Sequence, residues 1–137
     1  GRPLKLEPSG EAMIQWLVED TKLWVAVRNV RDAYFSLTPP LSSIVTKYRP
    51  PKARVLIGDA AFDGAFLLRG HPKAFVAEVF SYEELRKRLL RLRPGTGLVL
   101  SGQQIWLQRN GLEQDVEYLH FLCDLLCDLA ERIEALA

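Results

Sequence analysis

Two apolar runs flank a polar tetrad near the start of the chain: Ala12-Met13-Ile14-Gln15-Trp16-Leu17-Val18, then Glu19-Asp20-Thr21-Lys22, then Leu23-Trp24-Val25-Ala26-Val27-Arg28. Val, Ile and Trp suit a pleated, half-buried surface, so the pattern predicts a β-hairpin. A helix over 11–18 also fits, because Ala12, Met13, Trp16 and Leu17 share one helical face; the strand reading is preferred. Tyr34-Phe35-Ser36-Leu37 continues this as a meander, and Thr38-Pro39-Pro40 ends it, since proline has no N–H to give to a ladder. Residues 43–47 suit a further short strand, and 47–54, basic with one aromatic and two prolines, a solvated connector. Residues 1–10, with prolines at 3 and 8, read as a lead-in segment.

After this point the period lengthens. Arg54-Val55-Leu56-Ile57 predicts a buried strand, Gly58 permits a sharp exit, and Asp59 is placed to cap one helical turn with Phe62 and Phe66 on one side. Pro72 suits the first turn of a helix running to Phe80, with Phe75, Val76, Val79 and Phe80 turned inward. Ser81-Tyr82-Glu83-Glu84 has the form of a capping box, and Tyr82, Leu85, Leu89 and Leu92 give the next helix a buried stripe. Pro94-Gly95-Thr96-Gly97 is a turn, and 98–108, broken at Ser101-Gly102, is the clearest hairpin in the chain. Asn110-Gly111-Leu112-Glu113 again resembles a capping box, opening a helix over 112–135 that is about 35 Å long at about 1.5 Å per residue. Its stripe of Leu112, Val116, Leu119, Cys123, Leu126, Ala130 and Ile133 is widened by Leu122, Leu125, Leu129 and Leu136, too broad for a coiled-coil seam and suited to packing on a sheet. The expected fold is a single α+β domain over 1–137: an antiparallel sheet from the N-terminal strands and the 98–108 hairpin, packed on helices that end in the long C-terminal one.

Composition narrows the setting. At 137 residues, 48% of them hydrophobic, the chain can bury one core. Its formal net charge of +1 creates no field that would draw nucleic acid or a membrane, so any such partner must be met by a local patch. Cys123 and Cys127, four apart on one helical face, are poorly placed for a disulfide and have no neighbouring ligands to complete a zinc set; they read as small core residues of a reducing compartment. No run of 18 apolar residues occurs, and the first residues lack a signal-peptide core. The expected location is the cytoplasm or the cytoplasmic face of a membrane, with Gly1-Arg2-Pro3 reading as the boundary of a longer chain.

The stretch around Gly58, Asp59, Phe62, Asp63 and Phe66 is the hinge between the strand-like and helix-rich halves. Asp59 and Asp63 lie four apart on a helical turn, a spacing that serves a metal or an acid/base pair when a third group such as His71 joins them. The plainer reading, Asp caps and Phe anchors, is favoured. The pattern Gly-Asp-x-x-Phe-Asp-x-x-Phe is followed by an extended segment, a short helix of the His71 to Phe80 kind, and Glu84-Leu85-Arg86-x-x-Leu89-Leu90. This order resembles a group of bacterial domains of unknown function that often follow transmembrane segments. The resemblance covers roughly residue 53 to the C-terminus; it implies a fold and carries over no activity.

Candidate chemistry is sparse. There are two histidines, no nucleophile beside a plausible base, and no phosphate loop. No catalytic residue, cofactor or metal is expected, and the first reading is a non-enzymatic interaction or scaffold domain of a bacterial, membrane-attached protein. The alternatives are a metal- or ligand-dependent enzyme using Asp59, Asp63 and His71, and a small-molecule sensor with a pocket between sheet and helices. The strongest charge cluster, Arg86, Lys87, Arg88, Arg91 and Arg93, is the candidate contact for an anionic partner. The expected partner is an unidentified protein, a second copy of the chain or, weakly, an anionic surface. Nucleic acid is not expected: Trp106 has no second aromatic at alternate positions of its own strand to make a base-stacking platform.

Overall fold

The computed structural model describes residues 4–6, 12–16, 20–40 and 54–137. Its elements in chain order are β1 (Leu4–Leu6), β2 (Ala12–Trp16), β3 (Asp20–Ala26), β4 (Tyr34–Thr38), α1 (Ala60–Ala65), β5 (Leu67–His71), α2 (Lys73–Val79), α3 (Glu83–Leu89), β6 (Gly97–Ser101), β7 (Gln104–Asn110) and α4 (Val116–Leu136). The strands form one seven-stranded sheet in the order β1-β2-β3-β7-β6-β4-β5, every neighbouring pair antiparallel. The fold is α+β, with the long C-terminal helix the sequence pattern predicts.

Alternation decides which way the sheet faces. Leu23 and Val25, Leu98 and Leu100, Ile105 and Leu107, Phe35 and Leu37, and Leu68 are all buried, each separated by a residue turned the other way. On this inner face they meet Phe62 and Phe66 of the α1 region, Phe75, Val76, Val79 and Phe80 around α2, Leu85 and Leu89 of α3, and the Leu119 to Ile133 stripe of α4 in one continuous core. Phe80 bridges the layers, its ring edge-on to Phe35 at 5.0 Å and 5.9 Å from Phe62.

Several expectations are corrected. The lead-in contains a strand: Leu4–Leu6 pairs with β2 and forms one edge of the sheet. The polar tetrad is not all turn, because Thr21 and Lys22 already pair with Trp16 and Gln15. β4 does not continue the meander beside β3; β7 takes that place, matched from Asp20↔Asn110 to Ala26↔Gln104. Asn29 carries the chain away. Its side-chain N–H groups donate to the carbonyls of Ala33 and Gly102 at 2.8 and 2.7 Å, its Oδ1 accepts from Ala33 N, and its backbone N–H donates to Gln103 Oε1, so the 27–33 segment is hooked onto the β6–β7 turn. β4 then enters beside β6.

Residues 54–57 are not a buried strand. Only one bridge, Arg54↔Arg69, forms; Val55 faces the core while Leu56 is 63% exposed. The expected strand over 43–47 and most of the connector before Arg54 lie outside the described residues. At Ser81-Tyr82-Glu83-Glu84 no capping box forms, because the Ser81 hydroxyl donates to Glu78 O at the end of α2. Tyr82, expected in the stripe, is exposed. Likewise α4 begins at Val116, capped by Asp115 Oδ1 accepting from Tyr118 N, and Leu112 and Val116 are exposed, so the buried stripe starts at Leu119. Glu113 has other partners, described below. No described helix is long and apolar enough to cross a membrane.

Candidate functional site

The hinge is a structural staple. Gly58 takes φ 93°, which a side chain would resist, and turns the chain into α1. Asp59 Oδ1 accepts from Ala61 N and Phe62 N, while its Oδ2 accepts from Arg86 Nε at 2.9 Å. That guanidinium and the Phe62 N–H hold the Asp59 carboxyl below its usual range. Asp63 turns back the other way, accepting from Ile57 N at 3.1 Å and Gly58 N at 2.9 Å. Both carboxylates are thus filled by donors of their own chain. Asp59 and Asp63 serve the two sides of the turn into α1, each taken up by different backbone N–H groups. His71 ends β5, and no group of three His, Cys, Asp or Glu residues among those described is placed to hold a metal ion. Phe62 and Phe66 lie in the core with ring centroids 5.4 Å apart.

The basic cluster is likewise engaged. Arg86 spans from Asp59 to the Phe80 carbonyl. Lys87 lies 3.6 Å from Glu83 and 3.8 Å from Glu84, Arg88 pairs with Asp128 of α4, and Arg91 sits 4.5 Å over the Phe121 ring. Arg93 stacks 3.9 Å over Tyr118 and pairs with Glu113 and Asp115. Four of the five expected anionic-partner contacts therefore have a carboxylate beside them already: Arg86 and Arg88 tie α3 to Asp59 and α4, Arg93 ties the segment after α3 to Glu113 and Asp115, and Lys87 pairs within α3.

Among the described residues Glu113 is the buried acid. Burial pushes its carboxyl up, but the Asp115 N–H and the guanidinium groups of Arg93 and Arg109 outweigh that and bring it below the ordinary range. The same contacts hold Arg93 above its usual value. Thr21 closes the cluster, donating to Gly111 O and accepting from Glu113 N, both at 2.7 Å. Cys123 and Cys127 are buried free thiols; burial, then the neighbouring Cys127, pushes Cys123 up to about 12. A groove of about 370 Å³ runs between α3 and α4, lined by Tyr82, Leu85, Arg88, Asp128 and Arg132. It lies outside the sheet-helix interface where a sensor pocket was expected.

The outer face of the sheet is what the sequence reading missed. One register row crosses all seven strands: Lys5↔Met13↔Trp24↔Trp106↔Val99↔Ser36↔Arg69. Trp24 and Trp106, both half-buried, stand side by side with ring centroids 5.9 Å apart and planes tilted by 38°. Lys22 lies over the Trp106 ring at 5.0 Å. Gln104 and Gln108 flank Trp106 on the same parity of β7. Asp20 is the sole carboxylate in the seven strands. All four described helices pack on the other side. The second aromatic beside Trp106 comes from the neighbouring strand, so only the strand order could reveal it; the alternation Lys22-x-Trp24 and Gln104-x-Trp106-x-Gln108 was the available sign.

Comparison with known proteins returns no match: no family model, no curated protein and no solved structure corresponds to this chain.

Proposed function

We propose that this chain is a non-enzymatic interaction module that engages its partner through the outer face of its sheet. The supporting observation is the tryptophan pair. Large aromatic rings contribute more stability inside a core than on a polar face, yet Trp24 and Trp106 stand opposite the helices, among Lys22, Gln104, Gln108 and Ser36. Aromatics with cations and amides around them are the residue types that carry binding energy at interfaces. The engagement of Asp59, Asp63, Arg86 and Arg88 in fold-holding contacts favours this face over the hinge or α3.

Acrylamide quenching of Trp24→Phe and Trp106→Phe variants, read against the parent, isolates each ring's signal from that of Trp16. Both rings should be quenched in the native protein, and each variant should melt close to the parent. Rings shielded as fully as a core residue, with melts lowered as for a core aromatic, would place both tryptophans in the packing and remove the reading.

A further inference from the structure

We infer that the partner of this face is single-stranded nucleic acid, its bases stacking on Trp24 and Trp106 and its phosphates meeting Lys22 and Arg69; this rests on the outer face being the binding surface. Three observations converge. First, the two rings stand 5.9 Å apart and tilted by 38°, not stacked flat on each other, with Lys22 over one of them, Trp106. Every base offers a π-face, which makes adjacent aromatics on one face of a sheet a sequence-tolerant platform for unpaired bases.

Second, the charge on the strands is predominantly cationic, although Asp20 shares the parity of Lys22 and Trp24 in β3. Apart from Asp20 at the start of β3, the strands hold no carboxylate, while Lys22 lies over Trp106 and Arg69 shares the register row of both rings. Among the described residues the other acids lie in loops and helices: Glu117, Asp124 and Glu131 are exposed on α4, on the opposite side of the sheet. Lys22 and Arg69 on the sheet face thus stand on the opposite side of the sheet from the acidic outer side of α4. An acidic peptide would use the cations but brings no regular row of planar π-faces to the two rings, and a duplex keeps its bases stacked inside.

Third, the spacing suits an extended strand. With neighbouring strands about 4.8 Å apart, Trp24 and Arg69 stand roughly 19 Å from each other across the sheet. That is the reach of a few nucleotides, within the ~4–16 nucleotide sites of sheet-based single-strand binders. Ser36 lies between the two ends of this row, and Gln104 and Gln108 beside it, to hydrogen-bond sugar or base edges without demanding one sequence.

The test is fluorescence anisotropy of labelled oligothymidylate and oligouridylate with the full chain at low salt, alongside a blunt duplex and anionic phospholipid vesicles in the same buffer. Single strands should bind, quench tryptophan emission, and bind at least several-fold more tightly than duplex. Trp24→Ala and Trp106→Ala should each weaken binding by about tenfold. Lys22→Gln and Arg69→Gln, surface changes that leave the core intact, should weaken it less and lower the salt dependence. Equal affinity for duplex and single strand, unchanged affinity in the charge variants, or binding to vesicles alone would each overturn the inference. If acrylamide reaches both rings and no oligonucleotide binds, the nucleic-acid partner falls while the open binding face stands; if the rings are shielded, both fall.

Discussion

Gly70 sits where β4 and α2 close on the backbone of β5: a Cβ there would lie 2.5 Å from the Tyr34 carbonyl oxygen, 2.9 Å from Val76 Cγ2 and 3.0 Å from Phe35 Cβ. The carbonyl is backbone and cannot swing away, so Gly70→Ala should lower stability by about 1–3 kcal/mol, read as a shift of the urea midpoint. A midpoint equal to the parent's would mean that β5 moves freely off its neighbours. Asn29 is the polar counterpart of this site. Truncation to Ala strands the Ala33 N–H and removes donors from two carbonyls in a buried corner, so Asn29→Ala should cost about 1–3 kcal/mol. Truncating exposed Asn110 should leave the midpoint nearly unchanged. Neither role was legible from the sequence, because both depend on which distant segment arrives next to the residue.

The hinge helix α1 is six residues long, too short to hold itself in water, and owes its existence to what it packs against. Phe62→Ala should cost about 3–5 kcal/mol in thermal or urea unfolding, and Phe66→Ala, slightly less buried, somewhat less. Asp59→Ala should destabilise too, through the lost cap and the unpaired Arg86, but by less than Phe62→Ala. If the Phe variants melt like the parent, the motif is a surface epitope. The capping of α1 by Asp59 and the inward turn of both rings follow from the sequence pattern, since cap and anchor sit within one turn. The partner of Asp59 does not: Arg86 lies 27 positions away, on a helix read from its sequence as a basic surface. In α4 the thiols of Cys123 and Cys127 are both raised and buried, so in the native state they should react with a thiol reagent only as fast as the helix opens. Prompt modification at neutral pH would show that α4 is not held down on the sheet.

At the scale of the whole molecule, Asp59 and Glu113 link stability to pH in one direction. Their carboxyls are lowered from the ordinary 3.8 and 4.5, so the folded state binds protons less readily than the unfolded one. Their contribution is complete above those ordinary values and is lost as pH falls through the lower folded-state values. The urea midpoint should therefore fall between about pH 5 and pH 2, and Glu113→Gln should flatten that fall while lowering the midpoint at neutral pH. A midpoint independent of pH over this range would mean that the Arg93, Arg109 and Glu113 cluster does not hold the β7–α4 junction together.

Periodicity along the chain determined the local elements: the 2–3 and 6–7 hairpins, the inward Phe and Val of α2, the leucine stripe of α4 from Leu119 onward, and hence an α+β fold with an antiparallel sheet. These are legible because a strand or helix declares its buried face within a few residues of itself. Tertiary structure alone decided that β7 sits beside β3, that β4 passes to the far side of β6, and that Trp24 meets Trp106. The same holds for Arg88, Arg91 and Arg93, whose partners Asp128, Phe121 and Glu113 come from segments with no periodic relation to them. Pairing between strands is set by which long-range register buries the most apolar surface while satisfying the backbone, and that sum runs over the whole chain at once.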